Sequence, residues 1–182
     1  MASTITISTV APAHVDEIAA LARIVWQEAY AGIITQAQID FMLEQRYNAP
    51  RLLEELATPG IWWDRVCIDD RCNACDTFDK LAGFAASQLS SSAGEMKLDK
   101  LYVDPFRQRL GLGGRLIAHV SKRALAQGCH TLILAVNKQN ARAIAAYRKN
   151  GFEVREAVRV EIGNGFVMDD FIMAKSLAAD PD

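Results

Sequence analysis

The sequence predicts an α/β protein built on one mixed central sheet, with helices on both faces and a β-hairpin near the carboxyl end. Three observations carry this. Strand-like and helix-like stretches interleave along the chain; Leu101-Tyr102-Val103-Asp104-Pro105, followed by glycines at Gly111, Gly113 and Gly114, reads as strand, turn and helix; and Gly163-Asn164-Gly165 separates two strand-like runs. Such an order suits a sheet covered on both sides. The 182 residues suffice for one continuous core, so residues 1–182 are expected to form a single domain.

Each element has its own signal. Residues 4–10 alternate apolar and polar side chains, the period of a half-buried strand. Over residues 12–30, Val15, Ile18, Leu21, Ala22, Val25 and Trp26 recur at helical spacing and predict an amphipathic helix ending near Gly32. A second helix begins at Thr35, where Thr35 and Gln38 have the spacing of a capping box, and runs to about Tyr47; a third, short helix follows Pro50. Strands are predicted near residues 62–69 and 80–89, then a central strand over residues 95–103. Leu112, Leu116, Ile117 and Val120 return to helical spacing and give a helix over residues 113–127. A strand over residues 131–136 and a helix over residues 140–150 follow, with Gly151 as the helix stop. The last two runs, residues 154–162 and 166–177, meet at Asn164-Gly165, which favours the type I′ turn of a hairpin.

Composition narrows the function classes. Hydrophobic residues make up 51% and charged residues 23%, an ordinary soluble balance, and a net charge of -2 argues against bulk nucleic-acid binding. The first residues lack a basic region followed by an apolar run, and no apolar stretch approaches the roughly 20 residues that span a bilayer. A cytoplasmic protein without nucleic-acid or membrane partners is expected. Cys67, Cys72, Cys75 and Cys129 include one C-x-x-C, the spacing of a zinc half-site or a redox pair. The histidines His14, His119 and His130 are scattered and no second close pair exists, so no metal site is expected; Cys72 and Cys75 read as thiols of a polar hairpin loop, with redox or metal use as the alternative.

The glycine-rich turn carries the chemistry. Gly111, Gly113 and Gly114 remove the β-carbons that would hold a ligand off the backbone, and the first amides of a helix have no intrahelical partner. At the positive end of the helix dipole those amides suit a phosphate or pyrophosphate. The dinucleotide fingerprint would need glycine where Leu116 stands, and the Walker loop would need Gly-Lys-Ser/Thr. The pattern present is Q/R-x-x-G-x-G/A, here Gln108-Arg109-Leu110-Gly111-Leu112-Gly113. Further on, Asn140, Ala143, Tyr147, Gly151 and Phe152 stand in the spacing N-x-x-A-x-x-x-Y-x-x-x-G-F. Together, over residues 95–177, these motifs resemble the GNAT superfamily of N-acetyltransferases, and Trp26-x-x-x-Tyr30-x-Gly32 with the tail over residues 163–173 resembles its small bacterial members.

The resemblance implies the acyl-CoA N-acyltransferase (GNAT) fold, acetyl-CoA as cosubstrate, no metal, and transfer of the acetyl group to a primary amine by direct attack in a ternary complex. In that family the central strand and its parallel neighbour part at their C-terminal ends. The backbone of Leu101, Tyr102 and Val103 would then pair with the pantetheine arm. Gln108, Arg109, Leu110, Gly111, Leu112, Gly113 and Gly114 would cradle the pyrophosphate, and an amide of Leu101 or Tyr102 would meet the oxyanion. Asn140 matches a coenzyme-contacting asparagine, although an N-cap is its local alternative. Tyr147 matches the tyrosine that faces the sulfur and serves as acid; alternatively it fills the apolar face of its helix, three positions after Ile144. Glu95 and Asp99 are candidate bases, with Lys97 between them on the same nominal strand face, and solvated charges are the alternative. Lys97 falls near where histone-modifying members carry glutamate, so the resemblance does not extend to histone acetylation.

The family's acceptor cleft maps here to Trp26, Glu28, Tyr30 and Ile33 on one side and Asn164, Phe166, Asp169 and Asp170 on the other. Carboxylates in such a cleft would favour a polyamine-like or other small cationic amine. A protein or peptide amine is the alternative acceptor. A noncatalytic acyl-CoA-binding module would keep the loop but need no acid, and an interaction module would keep only the fold, for partner binding. Monomer and homodimer are both compatible with the sequence.

Overall fold

In a computed structural model of the chain, which describes residues 4–69 and 80–177, stretches of alternating character form strands and stretches of helical spacing form helices. Cys72 and Cys75 lie outside the described residues. The order is β1 Thr4–Thr9, α1 Val15–Tyr30, α2 Gln36–Arg46, α3 Ala49–Ala57, β2 Ile61–Asp69, β3 Lys80–Leu89, β4 Glu95–Val103, α4 Leu112–Ala126, β5 Thr131–Asn137, α5 Ala141–Lys149, β6 Glu153–Gly163 and β7 Phe166–Ser176. No helix among the described residues is long and apolar enough to cross a membrane.

Local chemistry explains the boundaries. Pro12 to His14 make a separate 3-10 turn, so α1 starts at Val15, the first residue of its apolar pattern, rather than at residue 12, and it buries the same six residues the spacing selected. The Thr35 hydroxyl caps α2 by accepting from the Gln38 amide at 3.2 Å. The Gln38 side chain does not return to Thr35 as a full capping box would; it donates to the Val167 carbonyl at 2.9 Å and ties α2 to β7. Asn48 caps α3 by accepting from Arg51 at 2.8 Å, which puts Pro50 inside the first turn rather than before the helix. At the hairpin, Asn164 and Gly165 both have positive φ, 51° and 75°, between paired Gly163 and Phe166, as a type I′ turn requires.

The sheet has strand order β1-β2-β3-β4-β5-β7-β6 and is antiparallel except between β4 and β5. One face packs Ile18, Trp26, Ile39 and Leu52 of α1, α2 and α3 against Trp63 and Phe84. The other packs Leu112, Leu116, Ile117 and Val120 of α4, with Ile144 of α5, against Val66, Met96, Leu98 and Leu132. Opposite Ser87, the β3–β4 register skips Asp99: Ala86 pairs with Lys100 and Ser87 with Leu98. This β-bulge reverses the alternation of β4. Met96 and Leu98 pack toward α4, Lys100 and Tyr102 toward the α1–α3 face, and Leu101 and Val103 toward α4 again.

Charges fasten both faces. Lys100, 3% exposed, pairs with Glu55 at 2.9 Å and Asp99 at 2.9 Å and lies over the Trp63 ring. Glu55 also accepts from the Trp63 indole at 3.1 Å, and Asp99 from Lys97 at 2.8 Å and from Arg46. The network therefore joins α2 and α3 to the bulge. On the opposite face Asp64 of β2, fully buried, accepts from both terminal guanidinium nitrogens of Arg123 and so holds α4. A buried charge pair broken on one side is costly, because the remaining charge keeps its desolvation penalty. Lys100→Met is expected to lower the unfolding free energy by about 3 kcal/mol in urea denaturation. A change under about 0.5 kcal/mol, the scale of ordinary surface substitutions, would show that the network does not hold the bulge.

Candidate active site

The parallel ladder between β4 and β5 consists of Glu95, Met96 and Lys97 opposite Thr131, Leu132 and Ile133, and ends there. Beyond it β5 stays with β7 as far as Asn137, and β4 stays with β3 as far as Val103. The sheet thus divides, and the backbone of Leu101, Tyr102 and Val103 has no strand opposite it on the β5 side. An extended ligand can add there as a strand would.

The glycine turn stands at the open end of this split. Asp104 accepts from the Phe106 amide at 2.9 Å and fixes the exit from β4. Arg109 and Gly111 are both left-handed, φ 66° and 72°, which curls residues 108–111 into the start of α4. The first intrahelical bond there runs from Arg115 to the Gly111 carbonyl at 3.1 Å, so the amides of Leu112, Gly113 and Gly114 point out of the helix end. A β-carbon added at Gly111 would meet nothing within 4 Å, and one at Gly113 only Val103 at 3.9 Å. The backbone is therefore open on the Cβ side of both glycines. Gly114 differs: its added β-carbon would lie 3.2 Å from Asn150 Oδ1, so that glycine serves the approach of α4 to the end of α5. Gln108 is half-buried, whereas Arg109 and Leu110 are exposed.

Three phenols gather at the split from opposite faces. Tyr147 comes from α5, half-buried, with its ring edge-on to Phe152 at 5.8 Å. Tyr30 and Tyr102 come from the other face, where Trp26 packs 4.4 Å from Tyr30 and 6.1 Å from Tyr102 between ring centroids. Burial raises the pKa of Tyr147, and Tyr30 raises it further. Burial likewise raises Tyr102, then Tyr47 nearby and, more weakly, Tyr147; in Tyr30 burial is followed by Tyr102 and Asp170. All three are protonated donors at neutral pH. Tyr30 thus acts on Tyr147 across the gap although the two hang from different layers. Asn140 caps α5, accepting from the Ala143 amide at 3.1 Å.

The carboxylates selected from sequence are spread apart. Glu95 lies at the closed end of the split, opposite Thr131, and accepts from Arg155 at 2.6 Å. Leu101 is six residues further, about 20 Å along the strand. Asp99 sits at the bulge; burial would raise its pKa, but Lys100, Arg46 and Lys97 outweigh that and hold it well below the usual carboxylate range. Trp26 is buried, Glu28 is exposed on the side of α1 away from Trp26 and Tyr30, and Ile33 follows the helix end. Phe166 packs on Phe41 at 5.4 Å, facing α2. Asp169 is exposed and paired with Lys138, whereas Asp170 is buried. Arg46, Tyr47, Phe41 and Gln38 complete the α1–α2 side, and sequence reasoning did not select them as site residues. Their signal was only the apolar and capping pattern of one helix.

A model of the acetyltransferase (GNAT) family matches residues 19–152. The spermidine N(1)-acetyltransferase of Thermoplasma acidophilum is 26% identical over 149 residues, 82% of this chain and 86% of that protein. The crystal structure of the PaiA N-acetyltransferase of Thermoplasma acidophilum in complex with coenzyme A superposes with a TM-score of 0.76 at 25% identity, covering 95% of this chain and 99% of that one. The ribosomal protein bS18-alanine N-acetyltransferase of Escherichia coli is 41% identical over 73 residues, 40% of this chain and 48% of that protein.

Because Gly113 has room for a β-carbon on the protein side, Gly113→Val is expected to leave the thermal midpoint within about 4 °C. It should weaken coenzyme A binding in calorimetry by about tenfold or more. Unchanged affinity would make the turn a helix start only.

Proposed function

The chain belongs to the acetyltransferase (GNAT) family and is an acetyl-CoA-dependent N-acetyltransferase, and we propose that its acceptor is a small cationic amine of the polyamine kind. The observation that carries the acceptor is the wall of the split on the α1–α2 side. There the half-buried rings of Tyr30 and Tyr102, backed by the buried Trp26, line the wall where the buried Asp170 carboxylate acts on Tyr30. Aromatic faces and a carboxylate together attract an ammonium group, by ring quadrupole and by charge. The spermidine-acetylating relative supports this reading across most of both chains. The ribosomal-protein relative, alike over a shorter stretch, favours a second reading, a protein amino terminus as acceptor.

In this reading the pantetheine arm of acetyl-CoA lies along the β4 edge at Leu101, Tyr102 and Val103, and its pyrophosphate meets the amides of residues 109–114. The thioester then lies in the split, where a β4 amide faces its carbonyl oxygen and stabilises negative charge as the amine attacks. Direct attack in a ternary complex needs no acyl-enzyme. Tyr147 gives its proton to the departing thiolate. Burial keeps this phenol protonated at neutral pH, so its O–H is present to donate to the sulfur as negative charge develops there.

Incubation with acetyl-CoA and either spermidine-like amines or alanine-ended peptides, read by thiol release, separates the two acceptors; the account predicts faster turnover with the polyamines. Tyr147→Phe keeps the ring packing on Phe152 and removes only the hydroxyl. It is expected to lower kcat about tenfold to several hundredfold with acetyl-CoA affinity unchanged. Parental turnover in this variant would assign Tyr147 to packing.

A further inference from the structure

We propose that Asp170 is the residue that holds the acceptor's ammonium group and takes its proton before acetyl transfer, an inference that rests on the cationic-amine reading above. The alternation of β7 singles it out. Phe166 packs on Phe41, and Met168 receives the Gln38 amide at 3.6 Å, so these residues face α2. Phe171 and Met173 pack into the core on the α4 side. Asp170 shares parity with Phe166 and Met168; Asp169, with opposite parity, is exposed and held by Lys138. Glu28 points away from the split. Of the three acidic residues assigned to the acceptor cleft, Asp170 alone faces it.

Its position along the strand is equally specific. Asp170 pairs with Asn137, the last residue of β5, beyond the point where β5 has left β4. The carboxylate therefore lies beside the open part of the split, whereas Glu95 lies at its closed end. Asp170 is 8% exposed, yet its Oδ1 has no hydrogen-bond partner among the described residues. A buried carboxylate oxygen left unpaired is costly in a folded chain, and the N–H of a bound ammonium would satisfy it.

The surrounding charges suit a proton acceptor. Lys97 of β4, Lys138 after β5 and Asp169 of β7 are the titrating groups that act on Asp170, and Asp170 in turn acts on Tyr30 of α1. Lys138 is bound to Asp169 and Lys97 to Asp99, so neither cation forms an ion pair with it. Burial first, then Asp169, raises the Asp170 pKa, with Lys138 and Lys97 opposing. Asp99, held low by three cations, is the poorer base.

The step balances. R-NH3+ gives one proton to the Asp170 carboxylate, and the neutral amine lone pair forms the C–N bond to the thioester carbonyl carbon. When the C–S bond breaks, its electron pair leaves on sulfur, and the thiolate takes a proton from Tyr147. The second N–H proton of the former amine, lost as the amide forms, restores Tyr147 through solvent, and the proton on Asp170 passes to bulk water. The products are the acetamide, coenzyme A thiol and one released proton.

The test is steady-state kinetics of Asp170→Asn and Asp170→Glu against the parent from pH 5 to 9, with acetyl-CoA and spermidine, spermine, putrescine and an alanine-ended peptide. Acetyl-CoA affinity and thermal midpoint are measured alongside. Glu153→Gln, an exposed carboxylate of β6, controls for charge. Asparagine keeps the shape and removes the base. Asp170→Asn is expected to lower kcat/KM for the polyamine by about a hundredfold or more, with acetyl-CoA affinity unchanged. It should also abolish the acid limb of the parent's profile, where activity falls as Asp170 becomes protonated; Asp170→Glu should keep that limb. Parental kinetics with the acid limb intact in Asp170→Asn overturns the inference and leaves the cationic-amine reading standing. Joint loss of stability and acetyl-CoA binding in both variants assigns Asp170 to the fold and also overturns it. A parent enzyme that acetylates no amine of the panel, or the peptide alone, overturns both readings.

Discussion

One unpaired residue in the central strand governs the site. Where β4 bulges at Asp99, the strand reverses which face its side chains take, and its parallel pairing with β5 has already stopped at Lys97. The reversal sends Lys100 and Tyr102 to the same face, one to the buried carboxylates and one to the aromatic wall of the split. A bulge bends a strand and increases its twist, which separates β4 from a neighbour that stays straight against β7. The bulge persists because Lys100, Glu55, Asp99, Arg46 and Lys97 satisfy one another around it. Backbone geometry opens the slot and buried electrostatics hold it open.

Two layers then meet through that slot with different tasks. The α4–α5 layer brings a helix end with outward amides and the Tyr147 hydroxyl. The α1–α3 layer brings Trp26 and Tyr30, with Trp26 packed on Tyr102 of β4. Two aspartates show how environment divides one residue type between roles. Asp99, ringed by cations, is a structural anion that remains ionised; Asp170, buried with an unpaired oxygen, has a raised pKa. Because a depressed carboxyl pKa stabilises the fold above the ordinary aspartate range, the contribution of Asp99 is complete above about pH 4 and is lost as the pH falls through its folded pKa.

Most of the fold was legible in the sequence, because element identity follows from periodicity. The six buried positions of α1, the strand limits of Lys80–Leu89 and Glu95–Val103, and the Asn164-Gly165 turn all follow from spacing and turn chemistry. The glycine turn was legible too, as local backbone demand, except that Gly114 proves to answer to Asn150. What could not be read was anything set by a partner distant in sequence. Gln38 has the spacing of a capping box, yet its amide finds Val167; Asp99 alternates correctly with Glu95 and Lys97 until a bulge draws cations from α2 and β4 around it. Asp169 and Asp170 are adjacent and equivalent in composition. Only the register of β7 against β5 and β6 decides which one is inside.

The central claim is that the gap between β4 and β5 receives acetyl-CoA as an added strand while the start of α4 receives its phosphates. Amide hydrogen exchange, followed by mass spectrometry with and without acetyl-CoA, reads both segments at once. The account predicts slowed exchange in peptides covering residues 99–103 and in those covering residues 109–115, with little change in β1 and β2. Slowing confined to residues 109–115, or absent from both segments at saturating acetyl-CoA, would contradict it.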